Sequence, residues 1–195
     1  MSIDVKKILA NALLNLCQKQ SLQSITVSQL LKETGVSRQT FYNHFKDKND
    51  LICYIYDTYI VPDFDEHHMD IDFYESLLQT FQNIKKYHKF MKQACQIEGQ
   101  NCLKDYIVEH CQQFDLKWHQ NLYGSDPMPD DLKFATIYHA NASSSMTLSW
   151  ILSNMPVPCE EIVDMIVQMR GLGMDKLFHS SENYLGSPYQ KIDKK

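Results

Sequence analysis

The chain has 195 residues, 44% of them hydrophobic and 22% charged, which suits a soluble globular protein with length for one large domain or two small ones. No run reaches the ~18 apolar residues of a membrane helix, and the opening MSIDVKK lacks the apolar core of a signal peptide. The net charge of -5 divides unevenly: residues 1–50 hold seven Lys/Arg against four Asp/Glu, or +3, leaving -8 for the rest and marking the amino-terminal part as the end that faces a polyanion.

Residues 4–20 place Val5, Ile8, Leu9, Ala12, Leu13, Leu16 and Cys17 at spacings of three and four, the stripe of an amphipathic helix. Lys6 and Lys7 near its start can approach phosphates or simply be solvated. After a polar connector, Thr26 predicts the start of a second helix twice over: its hydroxyl caps the Gln29 amide while Gln29 reaches back, and Ile25 closes over Leu30 as a staple. Gly35 stops that helix in a left-handed conformation and forms the turn. Ser37 then caps a short helix over residues 38–45, with Val36 and Phe41 at the spacing of another staple.

On this short helix Phe41 and Phe45 share the inward face, leaving Arg38, Gln39, Thr40, Asn43 and His44 to point elsewhere. Such a face suits a major groove, because Arg reads guanine, Gln and Asn read adenine, and Thr donates, accepts or touches a thymine methyl. Asp47 caps a third helix with Lys48 at its amino end, where backbone amides favour a phosphate.

The run Thr40-Phe41-Tyr42-Asn43-His44-Phe45-Lys46-Asp47-Lys48 with Leu51 resembles the signature of the TetR family of bacterial transcriptional regulators, T-[LFI]-Y-x-[HY]-F-x-x-K-x-x-L. That resemblance implies a helix-turn-helix in which Thr40, Tyr42, His44 and Lys48 touch DNA, mostly its backbone. The candidate DNA-binding set is Thr26, Ser37, Arg38, Gln39, Thr40, Tyr42, Asn43, His44 and Lys48. Within the family, the run 38–43 and the region of Trp150 resemble a Firmicutes-type, DhaS-like branch, in which a partner protein carries the ligand. The competing reading of the motif is a small helical subdomain whose turn only imitates a helix-turn-helix.

The third helix is expected to continue through Leu51, Ile52, Ile55 and Tyr59 to Val61, where Pro62 stops it. It joins the DNA end to the body, so a small tilt would change how the short helix is presented. Residues 62–72 form an acidic loop that fits a hinge; His67 and His68 are adjacent, so their side chains diverge, and no metal-ligand spacing recurs there or around Cys102, His110 and Cys111. No metal or cofactor is expected. The six cysteines, scattered without a CxxC pair, are expected as free, mostly buried thiols of a cytoplasmic protein.

From residue 73 onward the pattern is helical throughout, with stripes at 73–84, 90–97, 103–118 and 130–154 and a last helix bearing Ile162, Met165, Ile166 and Met169 that is closed by Gly171. The expected fold is all-α: a helix-turn-helix DNA-binding domain at 1–61, a helical regulatory and dimerisation domain at 62–178, and a flexible tail at 179–195, with about nine helices in all. The small face of the helix at 130–154 and the last helix are the candidate homodimer interface, through Ala142, Met146, Ser149, Ile162, Met165, Ile166 and Met169; the resemblance implies the same pairing. Met91, Cys95, Tyr106, His110, Trp118, His139, Met146 and Trp150 are candidates to line a ligand pocket, and each is equally at home in a core.

An enzyme is the rival class, yet no glycine-rich phosphate loop, GxSxG or HExxH orders the available nucleophiles, and packing explains His139 beside residues 143–145. A protein-interaction module is the third class, and basic Arg38 and Lys48 beside Tyr42 argue against it. The expected protein is a TetR-like regulator that binds double-stranded DNA as a homodimer on a palindromic operator, most simply a repressor released by a small ligand, the alternative being an activator working through a partner protein.

Overall fold

The computed structural model describes residues 4–62, 72–124, 126–178 and Tyr189, with Lys176 described in its backbone only. Among these residues the regular structure is helical, with nine α-helices and no strand. None of the helices is long and apolar enough to cross a membrane.

The first helix, α1 (Val5–Lys19), starts where the Asp4 carboxylate accepts from the Lys7 amide at 3.2 Å. It is buried on more than one side, including Ala10 and Leu14, because α2 (Val27–Thr34), α4 (Lys48–Ile55) and α6 (His88–Gln96) all pack on it. Ile8, assigned to the inward stripe by its spacing, is instead 38% exposed. The third helix of the motif also departs from expectation. After Ile55 it widens into a π-helical turn, Tyr56–Ile60, in which the Val61 amide reaches back to the Tyr56 carbonyl at 3.1 Å. Ile55, Tyr56 and Ile60 are all buried there, so one aromatic and two aliphatic anchors enter the body at the point where the helix-turn-helix meets it.

The body consists of α5 (Phe73–Lys86), α6, α7 (Leu103–Tyr123), α8 (Asp130–Leu152) and α9 (Cys159–Phe178). The α8 helix lies along α7 and α9, α5 packs on α9, and α7 reaches α4, so one hydrophobic core runs continuously from Leu9 to Phe178. Each tryptophan sits behind a phenyl ring of α5: Trp118 stacks on Phe73 at 4.9 Å between centroids, and Trp150 lies 5.0 Å from Phe81. All six cysteines are free.

The α9 helix runs past Gly171 to Phe178, where the sequence predicted a stop. An interior glycine costs a helix about 1 kcal/mol, whereas the residues beyond it include Met174 and Phe178, 0% and 3% exposed, whose burial is worth about 1.5–3 kcal/mol each. Gly173 has a further reason to be glycine: a Cβ there would collide with the imidazole of His139 from α8. The acidic loop with His67 and His68 lies outside the described residues, as does the expected flexible tail except at Tyr189. That residue is 5% exposed, with its hydroxyl 2.5 Å from His119 Nε2 and its ring edge-on to Trp118, so at this position the tail reading is corrected.

Candidate functional site

The helix-turn-helix forms as its punctuation dictates. Thr26 Oγ1 accepts from the Gln29 amide at 3.2 Å, Gly35 turns the chain at φ 70°, and Ser37 Oγ accepts from the Thr40 amide at 3.0 Å. One half of the predicted capping box is replaced, since Gln29 Oε1 accepts from Gln20 Nε2 at 2.9 Å instead of reaching back to Thr26. The short helix α3 (Arg38–His44) is held by Phe41 and Phe45, 0% and 3% exposed with ring centroids 5.8 Å apart. Burying that face leaves Ser37, Arg38, Gln39, Tyr42, Asn43 and His44 exposed, with Thr40 half-buried and Thr26 exposed beside them. The Arg38 guanidinium donates to Ser28 Oγ at 3.2 Å and lies over the Tyr42 ring at 6.0 Å, so the two side chains present one basic, aromatic-backed surface.

At the start of α4 the geometry differs from expectation. Asp47 caps the helix by accepting from the Asp50 amide at 2.9 Å, and Asp50 in turn accepts from the Lys46 amide at 2.8 Å. The Lys48 ammonium, however, donates to the carbonyls of Leu22, Gln23 and Ile25 at 2.9, 3.2 and 2.7 Å, which engages all three of its N–H groups. Burial lowers its pKa. Lys48 therefore ties the α1–α2 connector to α4, a structural contact that the sequence did not signal.

Inside the body a cavity of about 90 Å³ opens between α5, α7, α8 and α9. One wall is apolar, with Phe73, Leu77, Phe81, Ile107 and Phe114; the other carries Ser143, Ser144 and Thr147 of α8 with Asp115 and Arg170. Asp115 and Arg170 form an ion pair at 2.7 Å, 3% and 4% exposed. Burial raises the Asp115 pKa against the opposing pull of Arg170. The cavity also meets the π-helical turn directly: Tyr56 lines it, and so does His110, whose Nδ1 is 3.8 Å from Asp57 of that turn. Tyr106 Oη donates to Asp57 at 2.5 Å and Asn83 Nδ2 to the Ile60 carbonyl at 3.0 Å, so α5 and α7 both grip the turn.

Of the predicted pocket residues only His110 lines this cavity. Met91 and Cys95 are buried elsewhere in the core, Trp118 and Trp150 sit behind the lining phenyl rings, Tyr106 bonds Asp57, His139 lies against Gly173, and Met146 is 54% exposed on the outside. The lining hydroxyls were missed because serine and threonine at helical spacing carry no apolar signal. Arg170, one of only two arginines, flanked by apolar positions, was the available clue. Ser143, considered as a nucleophile for His139, accepts from Arg170 Nε at 3.0 Å.

On the outer faces of α8 and α9 large apolar side chains remain exposed: Phe134, Ile137, Tyr138, Met146 and Leu152 on α8, and Met165, Met169 and Leu172 on α9. Only Ile8 and Tyr42 are otherwise so exposed among the described residues. The predicted Ala142, Met146, Ser149, Met165 and Met169 belong to this exposed side, whereas Ile162 and Ile166 are 4% and 6% exposed and face the core, which corrects their assignment to an interface.

Residues 9–55 match a family model described as bacterial regulatory proteins, tetR family, and residues 72–170 match one described as a transcriptional regulator C-terminal region. The chain is 27% identical over 154 residues to an HTH-type transcriptional regulator of Staphylococcus aureus strain MRSA252, covering 74% of this chain and 80% of that protein. It is 36% identical over 56 residues to the HTH-type dhaKLM operon transcriptional activator DhaS of Lactococcus lactis, covering 29% and 30% respectively. A solved structure of the dihydroxyacetone kinase operon activator DhaS has the same fold, with a TM-score of 0.65 at 22% identity over 89% of this chain and 97% of that one.

Proposed function

Because the chain belongs to the TetR family of bacterial transcriptional regulators, DNA-binding proteins and not enzymes, we propose that it reads a palindromic operator as a cytoplasmic homodimer and represses transcription until a small ligand releases it. In this reading residues 1–61 bind DNA and residues 62–178 dimerise and sense the ligand. The observation that carries it is the exposed polar face of α3, with Arg38, Gln39, Tyr42, Asn43 and His44 set over the buried Phe41 and Phe45. One such helix reads only a few base pairs, whereas two about 34 Å apart read successive half-sites. The exposed apolar stripe of α8 and α9 supports pairing with a second copy, since large contiguous apolar patches on a soluble surface mark association sites. The contact of the cavity with the π-helical turn supports ligand control, because an occupant that moves Tyr56 or His110 acts on the helix that carries Lys48 at its other end.

The test is a gel shift against the DNA upstream of its own gene, at low and moderate salt, with Arg38→Ala and Tyr42→Ala beside the wild type. Sequence-selective, salt-sensitive binding lost in variants with unchanged circular dichroism is the expected result. Equal binding by all three proteins would sink the assignment of α3. A second reading is favoured by the relative named as an activator: binding without repression, with transcription raised alone or through a partner protein. A promoter reporter in cells lacking the gene distinguishes the two by sign.

A further inference from the structure

The occupant of the internal cavity is constrained by charge, by size and by hydrogen-bonding capacity, provided the cavity is the effector site proposed above. Its charged lining is already neutralised: Arg170 and Asp115 pair at 2.7 Å, both more than nine-tenths buried, and the guanidinium also donates to Ser143 and lies over the Phe73 ring at 5.0 Å. Among the described residues a guest bearing net charge would find no free counter-ion there and would have to break the pair, leaving a buried charge unmatched. The volume of about 90 Å³ admits only a small guest.

The hydroxyls on the wall decide the polarity of the contact. Thr80, Ser144 and Thr147 each donate to the carbonyl one turn earlier, those of Ser76, Ala140 and Ser143, at 3.0, 2.8 and 2.8 Å. A hydroxyl has one hydrogen and two lone pairs, so these three residues still offer acceptance, while Ser143, whose oxygen accepts from Arg170, keeps its hydrogen to donate, and the wall matches a guest hydroxyl that both donates and accepts. The facing rings of Phe73, Phe81 and Phe114 suit a flat or compact apolar body.

We propose that this cavity takes a small uncharged molecule with an apolar body and a hydroxyl donor, of the alcohol or phenol class, rather than a carboxylate, phosphate or amine. The test uses the full chain and four probes of one shape: benzyl alcohol, toluene, benzoate and benzylamine. Binding is read by calorimetry and by tryptophan fluorescence, since Trp118 and Trp150 each contact a lining phenyl ring. Benzyl alcohol should bind saturably and at least about tenfold more tightly than either charged probe, and more tightly than toluene. Thr147→Leu, or Ser76→Leu on the opposite wall if the first does not fold, should abolish the binding.

Tighter binding of benzoate or benzylamine would overturn the inference while leaving an effector site in place. Binding of no probe would overturn it too, and an operator reporter in cells would then show what else falls: the same output from wild type and the filling variant removes the effector reading, a changed output keeps it. Undiminished binding of benzyl alcohol in both filling variants would place the molecule elsewhere and overturn the inference.

Discussion

The Lys48 ammonium holds three carbonyls of the connector between α1 and α2, so its removal opens a joint inside the DNA-binding part. Lys48→Met should lower stability by about 1.5–3 kcal/mol, the range for hydrogen bonds to a charged group, and weaken operator binding through the displaced connector. Urea unfolding checks the first and a DNA titration the second; Lys48→Arg should not restore either, because a planar fork cannot converge on three carbonyls as an ammonium does. His119 is a second residue whose environment sets its behaviour. Thr136 donates its only hydroxyl hydrogen to the Leu132 carbonyl, so it accepts from His119 Nδ1, and His119 Nε2 then accepts from the Tyr189 hydroxyl. Burial first, and then the nearby Arg170, pushes the His119 pKa down from 6.5 to about 3. The unfolded chain thus binds the proton more readily, so stability is full above pH 6.5 and declines as the pH falls toward 3. Urea midpoints measured across that window should fall with acidification, and His119→Gln should flatten the slope.

At the scale of elements, α8 and α9 meet tightly where His139 faces Gly173, because a Cβ at Gly173 would collide with the imidazole Nε2. Alanine for glycine inside a helix is ordinarily favourable by about 0.5–1 kcal/mol, yet Gly173→Ala forces the imidazole out of place and should destabilise by about 1–3 kcal/mol. His139→Ala should relieve this, so that adding Gly173→Ala to it becomes neutral or favourable; a double-mutant cycle in urea measures the difference. The π-helical turn after α4 is the other element-level feature with consequence. It is gripped by Tyr106, Asn83 and, through Tyr59 Oη to Asn11 at 3.1 Å, by α1, so the DNA end and the body share one joint.

For the whole molecule, the stripe on α8 and α9 predicts the oligomeric state. Leu172 is 78% exposed and Met169 57%, so Leu172→Lys combined with Met169→Lys leaves the folded subunit its core. Sedimentation should show a dimer for the wild type and a monomer for this variant, and the variant's affinity for a two-half-site operator should fall steeply while a single half-site is bound as before. An unchanged dimer would move the interface off these helices. The acidic body repels nonspecific DNA, which makes operator binding rest on local contacts of the basic end and steeply dependent on salt.

The sequence by itself determined the helical class, the turn at Gly35, the caps at Thr26, Ser37 and Asp47, and the exposed face of α3, because these follow from local backbone chemistry within a few residues. It also marked one side of the outer stripe through Met146, Met165 and Met169, but it could not separate these from Ile162 and Ile166, since one helix periodicity serves both a core and an interface. Only the tertiary structure decided that Lys48 turns to the connector, that α9 passes through Gly171, that α4 ends in a π-helical turn, and that the cavity is walled by serines, threonines and a buried Arg170–Asp115 pair. Those outcomes depend on which helices lie side by side, a relation between residues far apart in the chain that no local spacing encodes.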